Sequence, residues 1–174
     1  MSTFFFPNPK TECLTDLDQK LYDEVIEAMS YALLGHCYYR ELHNKSFVWA
    51  PNCHSMVRGI AHVCPHLKYR SGYYWGFEGS PPDDVCWLQM EHSWFETPDK
   101  AIIDPYPMQA HAKCEVILVS TEGQTEQLGG NCYKAHDDLL IEFGQVGVWQ
   151  QAQKFVELHR LGITRERHQA MASR

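Results

Sequence analysis

Apolar residues recur with the spacing of an α-helix in the first part of the chain. They fall on one helical face: Leu21, Val25, Ala28, Met29 and Ala32. Thr15 before this stretch is a typical N-cap, and Gly35 after it is a typical stop signal. The pattern therefore predicts a first helix between Thr15 and Gly35, with one buried face.

A second helical pattern begins after Asn52, which is a good N-cap, and ends at Pro65. Its apolar positions share the same spacing: Cys53, Val57, Ile60, Ala61 and Cys64. Cys53 is therefore expected in the first turn of this helix, on the face that is turned toward the protein interior.

Beyond this helix the chain becomes rich in aromatic and β-branched residues that are broken by Pro, Gly and Asp. Three such stretches predict strands: Tyr69–Phe77, Val85–Thr97 and Lys100–Asp104. The Thr97–Lys100 segment, with Pro98 and Asp99 at its centre, predicts a tight turn between two antiparallel strands.

The last third of the chain adds one more strand and one more helix to the prediction. Cys114–Ser120 has the pattern of a strand, and Gln124–Asn131 that of a loop. A final helical face is formed by six residues: Val148, Trp149, Ala152, Phe155, Val156 and His159. The order of elements predicts an α+β fold. We expect a single domain over residues 1–174, with residues 1–14 and 163–174 at its periphery.

Composition limits the classes of protein to which the chain can belong. Hydrophobic residues make up 44% and charged residues 21%, as in ordinary globular proteins. The net charge of −7 is unfavourable for binding a phosphate backbone, so we expect no nucleic-acid partner. No apolar run reaches the roughly 18–20 residues that cross a bilayer, so we expect no membrane partner.

Targeting signals and cysteine usage bear on the compartment. The segment Met1–Pro9 lacks a basic flank, and its apolar run is too short for a secretion signal. We therefore expect a cytoplasmic protein, with export by a signal-less route as an alternative. The seven Cys include no C-x-x-C pair, which argues against a disulfide framework. Cysteines that stay reduced, most of them buried and one of them reactive, agree better with a cytoplasmic protein than disulfides do.

One cysteine, one histidine and one aspartate meet the requirements of a cysteine nucleophile. The reactive thiolate is favoured at a helix N-terminus and beside a histidine, and a third group must orient that histidine. Cys53 opens the second predicted helix, whereas His92 and Asp104 lie on two predicted strands around a short turn. Neighbouring antiparallel strands bring such residues within side-chain reach. The pattern therefore predicts a catalytic triad.

These residues also resemble a known family. The run Glu91-His92-Ser93-Trp94-Phe95-Glu96, followed by Ala101-Ile102-Ile103-Asp104-Pro105-Tyr106, resembles the His-small-Trp…Asp-Pro signature of the transglutaminase-like superfamily. Asn52–Gly59 resembles the helix start that bears the Cys of that family. The resemblance, over about residues 45–110, implies a papain-like core whose nucleophile helix packs on an antiparallel sheet. It also implies acyl-thioenzyme chemistry, as in peptidases, amidases, glutamine deamidases and acyltransferases.

Under this hypothesis each residue of the triad has a distinct role. Cys53 attacks a carboxamide carbonyl, His92 exchanges protons with the thiol and the leaving amine, and Asp104 fixes the imidazole tautomer. The Cys53 backbone N–H would supply one oxyanion donor. Candidates for a second oxyanion donor or a substrate contact are Asn52, Trp49, Tyr39 and Trp94. The expected substrate is a protein or peptide, and the chemistry requires no metal or other cofactor.

Three alternatives remain open at this point. A zinc site could draw on close Cys/His groups, although none has C-x₂-C spacing: Cys53-His54, His62 with Cys64 and His66, and Cys132 with His136. A rival nucleophile is Cys132, which follows Gly129-Gly130-Asn131 and precedes His136 and Asp137. The chain could also be a non-catalytic module that binds carbohydrate or peptide through its aromatic residues.

Overall fold

The computed structural model describes residues 14–78, 86–106, 117–119, 133–136 and 145–174. Within these ranges the chain forms three helices and five strands in the order α1 (Asp16–His43), α2 (Cys53–Val63), β1 (Tyr69–Glu78), β2 (Cys86–Glu96), β3 (Ile102–Asp104), β4 (Ile117–Val119), β5 (Tyr133–Ala135) and α3 (Gln145–Ala172). The predicted α+β class is confirmed. The Gln124–Asn131 segment that was predicted as a loop lies outside the described residues.

Helix α1 starts where the sequence predicts and ends later. Asp18 N–H donates to Thr15 Oγ1, and Thr15 N–H donates to the Asp18 carboxylate, which closes the first turn. The predicted stop at Gly35 is wrong, because the helix continues to His43 and its C-cap, Asn44, adopts a left-handed conformation with φ 45°. A glycine inside a helix weakens it only slightly and does not end it when tertiary packing supports the helix.

The packing that keeps Gly35 helical comes from α3. A Cβ atom built on Gly35 would lie 1.6 Å from the carbonyl oxygen of Leu158, and one built on Gly162 would lie 1.9 Å from that of Tyr31. The backbones of α1 and α3 therefore approach each other so closely that only glycine fits at both positions.

Helix α3 differs from its prediction in length and in one residue of its buried face. The helix continues to Ala172 and so includes most of the segment that was expected at the periphery. Trp149 is 53% exposed and does not join the buried face, whereas Phe155 and Leu158 are fully buried. The Trp149 error arises because the position lies at the border of the apolar stripe.

Helix α2 agrees with its prediction at both ends. Asn52 Oδ1 accepts the Ser55 N–H at 2.8 Å, and Ser55 Oγ accepts the Asn52 N–H at 3.0 Å. This reciprocal cap fixes the start of the helix at Cys53. The helix ends at Val63, two residues before Pro65.

The strands form one sheet in the order β4-β3-β2-β1-β5, and every described pair is antiparallel. The short connection between β2 and β3 follows the predicted turn: Lys100 N–H donates to the Thr97 carbonyl, and Thr97 N–H donates to the Ala101 carbonyl. All three residues of β3, the strand that pairs with β4, are buried. The turn makes β2 and β3 a hairpin, which carries His92 on one arm and Asp104 on the other.

One apolar core joins the sheet to the three helices. Its members come from α1, α2, α3 and the hairpin, and include Val25, Val57, Ile60, Phe95, Ile103, Phe155 and Leu158. Residues of α2 and β2 pack together in this core, so the two elements lie against each other. None of the helices in the described ranges combines the length and the apolar character needed to cross a membrane.

Candidate active site

Cys53 is the first residue of α2, and its side chain is only 5% exposed. The N–H groups in the first turn of a helix have no acceptor within the helix. The Ser55 N–H is bound by the Asn52 cap, so the N–H groups of Cys53 and His54 are the ones that face outward from the helix start. The thiol therefore lies beside the positive end of the helix dipole, which favours its anionic form.

His92 and Asp104 meet across the hairpin as diagonal neighbours. Phe95 pairs with Ile103, and the same register places Asp104 opposite Trp94, two residues from His92 on the same face of the sheet. The Nε2 atom of His92 lies 2.7 Å from Oδ2 of Asp104, and both side chains are fully buried. The twelve-residue spacing in the sequence is thus realised as a direct hydrogen bond.

Two further donors hold the Asp104 carboxylate. The Tyr133 hydroxyl donates to Oδ2 at 2.8 Å, and the Tyr106 backbone N–H donates to Oδ1 at 2.9 Å. The Tyr106 contact is a local turn that an Asp before Pro favours, so the sequence does contain a signal for it. The Tyr133 contact was missed, since it links residues that lie 29 positions apart in the chain.

Aromatic rings enclose the imidazole of His92. The centroid of the Trp94 ring lies 6.1 Å from that of His92, and the Tyr133 ring lies 6.0 Å away. Gly72 of β1 pairs with both His92 of β2 and Ala135 of β5, so β1 lies between the strand of His92 and the strand of Tyr133. Trp94 is 2% exposed, so it packs beside the triad and offers no surface to a substrate in this conformation.

The thiol of Cys53 is influenced by two histidines, His54 and His92. Burial alone would raise its pKa, but the proximity of the His54 and His92 rings lowers the pKa of Cys53 to about 6. Because Nε2 of His92 is bound to Asp104, Nδ1 is the ring nitrogen that remains for the thiol. The structure therefore brings Cys53, His92 and Asp104 together in one chain of contacts.

The pKa of His92 moves in the opposite direction. Burial would lower it, but the charge of Asp104, the hydrogen bond with Asp104 and the contact with Cys53 together raise the pKa of His92 to about 10. The two opposite shifts both favour a thiolate on Cys53 beside an imidazolium on His92. Such a pair is a nucleophile with its proton donor already charged.

A second histidine, His54, adjoins Cys53 and contacts two serines; sequence reasoning named His54 only as a possible zinc ligand and gave the serines no role. His54 Nδ1 lies 2.7 Å from Ser93 Oγ, which lies 2.9 Å from Ser71 Oγ. Consecutive residues of α2, Cys53 and His54, thus contact consecutive residues of β2, His92 and Ser93. The signal that was available is the direct adjacency of His54 to Cys53 in the sequence.

The other candidates for oxyanion or substrate contacts have different surroundings. Asn52 adjoins Cys53, and its Oδ1 is used by the helix cap. The Trp49 ring contacts Phe155, and the Tyr39 ring contacts His43 and Phe47, so their described ring contacts lie with the packing of α1 and α3. Of these three, Asn52 directly precedes the Cys53 residue at the start of α2.

The rival metal and nucleophile sites lie partly outside the described residues. Within those ranges, no three His, Cys, Asp or Glu side chains are grouped in a way that could hold a metal ion. His66 forms a hydrogen bond with Glu24 on the surface. Cys132 and Asp137 lie outside the described residues. His136 is exposed, and its ring centroid lies 6.2 Å from that of Tyr73.

Comparison with known proteins adds no relative to this picture. The chain matches no protein-family model, no curated protein and no solved structure.

Proposed function

We propose that this protein is a cysteine-nucleophile enzyme that acts on amide bonds through an acyl-thioenzyme intermediate, with Cys53, His92 and Asp104 as its catalytic triad. The observation that carries the proposal is the buried 2.7 Å bond between His92 and Asp104 together with a buried Cys53 at the start of α2, whose pKa is lowered to about 6 by the His54 and His92 rings. A structural cysteine in an apolar core would have its pKa raised, because burial disfavours the thiolate.

The first half of the reaction acylates the enzyme. The Cys53 thiolate attacks the carbonyl carbon of a carboxamide, and a C–S bond forms while the carbonyl oxygen becomes an oxyanion. The oxyanion then re-forms the carbonyl, the C–N bond breaks, and the His92 imidazolium gives its proton to the leaving nitrogen. Ammonia or an amine departs, and a thioester and a neutral His92 remain.

The second half restores the thiolate. Water or an amine attacks the thioester carbon, and His92 removes the proton from this nucleophile. When the C–S bond breaks, Cys53 leaves as a thiolate beside the protonated ring, which is the starting state. Water gives a carboxylic acid and therefore hydrolysis or deamidation, whereas an amine gives transfer. Both outcomes use the same residues.

Asp104 orients the ring through these steps. Its carboxylate accepts three hydrogen bonds and therefore has one preferred position, which fixes the His92 ring with Nε2 toward β3. The negative charge also stabilises the imidazolium before acylation and after deacylation. Tyr133 joins the triad as a positioning residue, since its hydroxyl holds the same carboxylate oxygen.

The oxyanion would be stabilised at the start of α2. The Cys53 backbone N–H is the first donor we propose, since helix-start N–H groups point outward and need no reorganisation. Asn52 is the second, because its Oδ1 is held by Ser55 and its amide nitrogen remains able to donate.

The arrangement of elements supports a papain-like, transglutaminase-like core. A helix that opens with the nucleophile packs against an antiparallel sheet, and adjacent strands of that sheet carry the base and its acidic partner. This is the architecture that the sequence resemblance implies, and it makes protein or peptide amides the substrate class we propose.

Mass spectrometry of the protein with a library of peptides and amines tests the proposal. Deamidation, amine transfer and backbone cleavage each leave a different mass change. Cys53→Ser should abolish every such change while its circular dichroism spectrum stays that of the unmutated protein. Cys64→Ser is the matched control, because Cys64 caps the other end of the same helix and has its pKa raised by burial and by Glu24 and Glu27. Full turnover in the Cys53→Ser protein would refute the proposal.

A further inference from the structure

His54 is the residue beside the nucleophile whose contacts the triad does not explain. It adjoins Cys53 in the first turn of α2 and lowers the pKa of that thiol, while its Nδ1 atom lies 2.7 Å from Ser93 Oγ. A surface histidine at the second position of a helix has no need of an anchor on a neighbouring strand. Here the anchor ties the ring to the residue that directly follows His92.

The two serines allow the donor and the acceptor in each of these hydrogen bonds to be assigned. Ser71 Oγ lies 2.9 Å from Ser93 Oγ, so the Ser71 hydroxyl can donate to Ser93 and the Ser93 hydroxyl can donate to His54 Nδ1. With Nδ1 engaged as an acceptor, the proton of a neutral ring is carried on Nε2. Since a thiolate only accepts hydrogen bonds, the ring nitrogen that faces Cys53 must carry a proton.

We propose that His54 is a second catalytic imidazole, which donates a hydrogen bond to the Cys53 thiolate without transferring a proton and is held in that role by Ser93 and Ser71. The inference rests on the proposed function, because it concerns the same nucleophile. His92 moves the proton to and from the substrate, whereas His54 stabilises the sulfur anion. The nucleophile is thus clamped between two rings that come from different elements of the fold.

An experiment must separate the effect of His54 on the Cys53 pKa from the effects of the other charged and titratable groups nearby. His54 faces it from its own helix and His92 from β2. Asp104 of β3 and Tyr133 of β5 stand behind His92. Arg58 stands behind His54, because its Nη1 donates to the His54 carbonyl oxygen at 3.3 Å. A change at the His54 side chain leaves every one of the other four groups in its place.

The test measures the rate at which iodoacetamide alkylates Cys53 as a function of pH, with the Cys53 peptide quantified by mass spectrometry. The unmutated protein should show a midpoint at about pH 6. His54→Phe keeps a ring but removes the donor, and should raise the midpoint by about one pH unit, which lowers the rate at pH 6 about five-fold. His54→Gln, whose amide can still donate, should fall between the two.

Two further variants make the test decisive. Ser93→Ala leaves both histidines intact and removes only the anchor, so it should raise the midpoint by a smaller amount than His54→Phe. His62→Phe is the matched control, since His62 lies on the exposed side of the same helix, and its profile should superimpose on that of the unmutated protein. An unchanged midpoint in folded His54→Phe would overturn the inference. If that variant fails to fold, an unchanged midpoint in Ser93→Ala overturns it instead.

These outcomes are separable from failure of the proposed function. The alkylation profile depends on the ionisation of the Cys53 thiol and requires no substrate. A protein whose Cys53→Ser variant retains turnover would refute the catalytic triad and leave the alkylation midpoints as they are. A shifted midpoint without a change in turnover would show a donor that the reaction does not use, and would overturn the catalytic role assigned to His54.

Discussion

The Nε2 atom of His92 and the Oδ2 atom of Asp104 lie 2.7 Å apart between adjacent strands, and neither side chain is exposed to solvent. A buried charged pair of this kind contributes little net stability, but the loss of one partner leaves an uncompensated charge in the interior. The geometry therefore links the chemistry of the site to the stability of the β2–β3 hairpin.

Substitutions at these two residues should differ in severity. His92→Ala removes the proton carrier and should reduce turnover to the background that oxyanion donors and substrate binding alone supply. Asp104→Asn keeps a hydrogen-bonding group beside the ring and should cost about 10²–10⁴-fold in kcat. Steady-state kinetics on a substrate found by mass spectrometry would measure both.

Stability is the control for that comparison. The Asp104 carboxylate accepts from His92, Tyr133 and Tyr106, whereas an asparagine has a single acceptor oxygen. In either orientation its NH₂ group faces at least one donor, so Asp104→Asn should destabilise the fold by about 3–5 kcal/mol. Thermal denaturation must show that each variant is folded at the assay temperature. Equal residual activity in the two folded variants would contradict a purely orienting role for Asp104.

Tyr133→Phe tests the positioning residue that supports the carboxylate. The change removes one hydroxyl and keeps the ring that packs against His92 and Trp94. Because a hydrogen bond to a charged group contributes about 1.5–3 kcal/mol, we expect a loss of that order in unfolding free energy, measured by urea denaturation. We also expect kcat to fall while KM changes little. A rise in KM with kcat preserved would instead assign Tyr133 to substrate binding.

The pH dependence of kcat/KM follows from the two shifted groups. Attack requires the Cys53 thiolate, whose pKa is lowered to about 6, so activity should rise as pH increases through that value. Leaving-group protonation requires the His92 imidazolium, whose pKa is raised to about 10, so activity should fall above that value. The expected profile is a broad bell with its plateau between these limits. An acidic limb centred near pH 9, the value of an ordinary thiol, would exclude a preformed ion pair.

The helix crossing can be tested with two glycines. Gly35→Ala would place a methyl group 1.6 Å from the Leu158 carbonyl oxygen, whereas Gly147→Ala, in the first turn of α3, would meet no atom within 4 Å. The first should destabilise the protein by about 1–3 kcal/mol or more, and the second should stabilise it by up to about 1 kcal/mol. Chemical denaturation of both variants measures these signs. Equal, favourable effects would mean that α1 and α3 do not touch at Gly35.

Local signals explain what could be predicted from the sequence. Asn52, Ser55 and Pro65 act within a few residues of α2, so its limits are visible in the chain itself. The hairpin that joins His92 to Asp104 is likewise local, because a short turn fixes the register of its two arms. The triad residues could be chosen for that reason, although their catalytic role stays a prediction.

Non-local contacts explain the rest. The continuation of α1 beyond Gly35 depends on α3, which approaches from more than a hundred residues away in the chain. The Tyr133 contact depends on the pairing of β5 with β1, and the His54 contact depends on a serine 39 positions later. The periodicity and spacing of residues within one segment carry no information about contacts between distant segments.

The distance along the chain between the nucleophile and its base has a consequence for the life of the protein in the cell. In an unfolded chain Cys53 is an ordinary thiol, with a pKa near 9, and only about one per cent of it is ionised at pH 7. The anion forms when α2 docks on the finished hairpin and both imidazoles reach the sulfur. A nascent or damaged chain thus carries no activated nucleophile and cannot acylate itself or attack its neighbours. Completion of the tertiary structure is itself the event that activates the thiol.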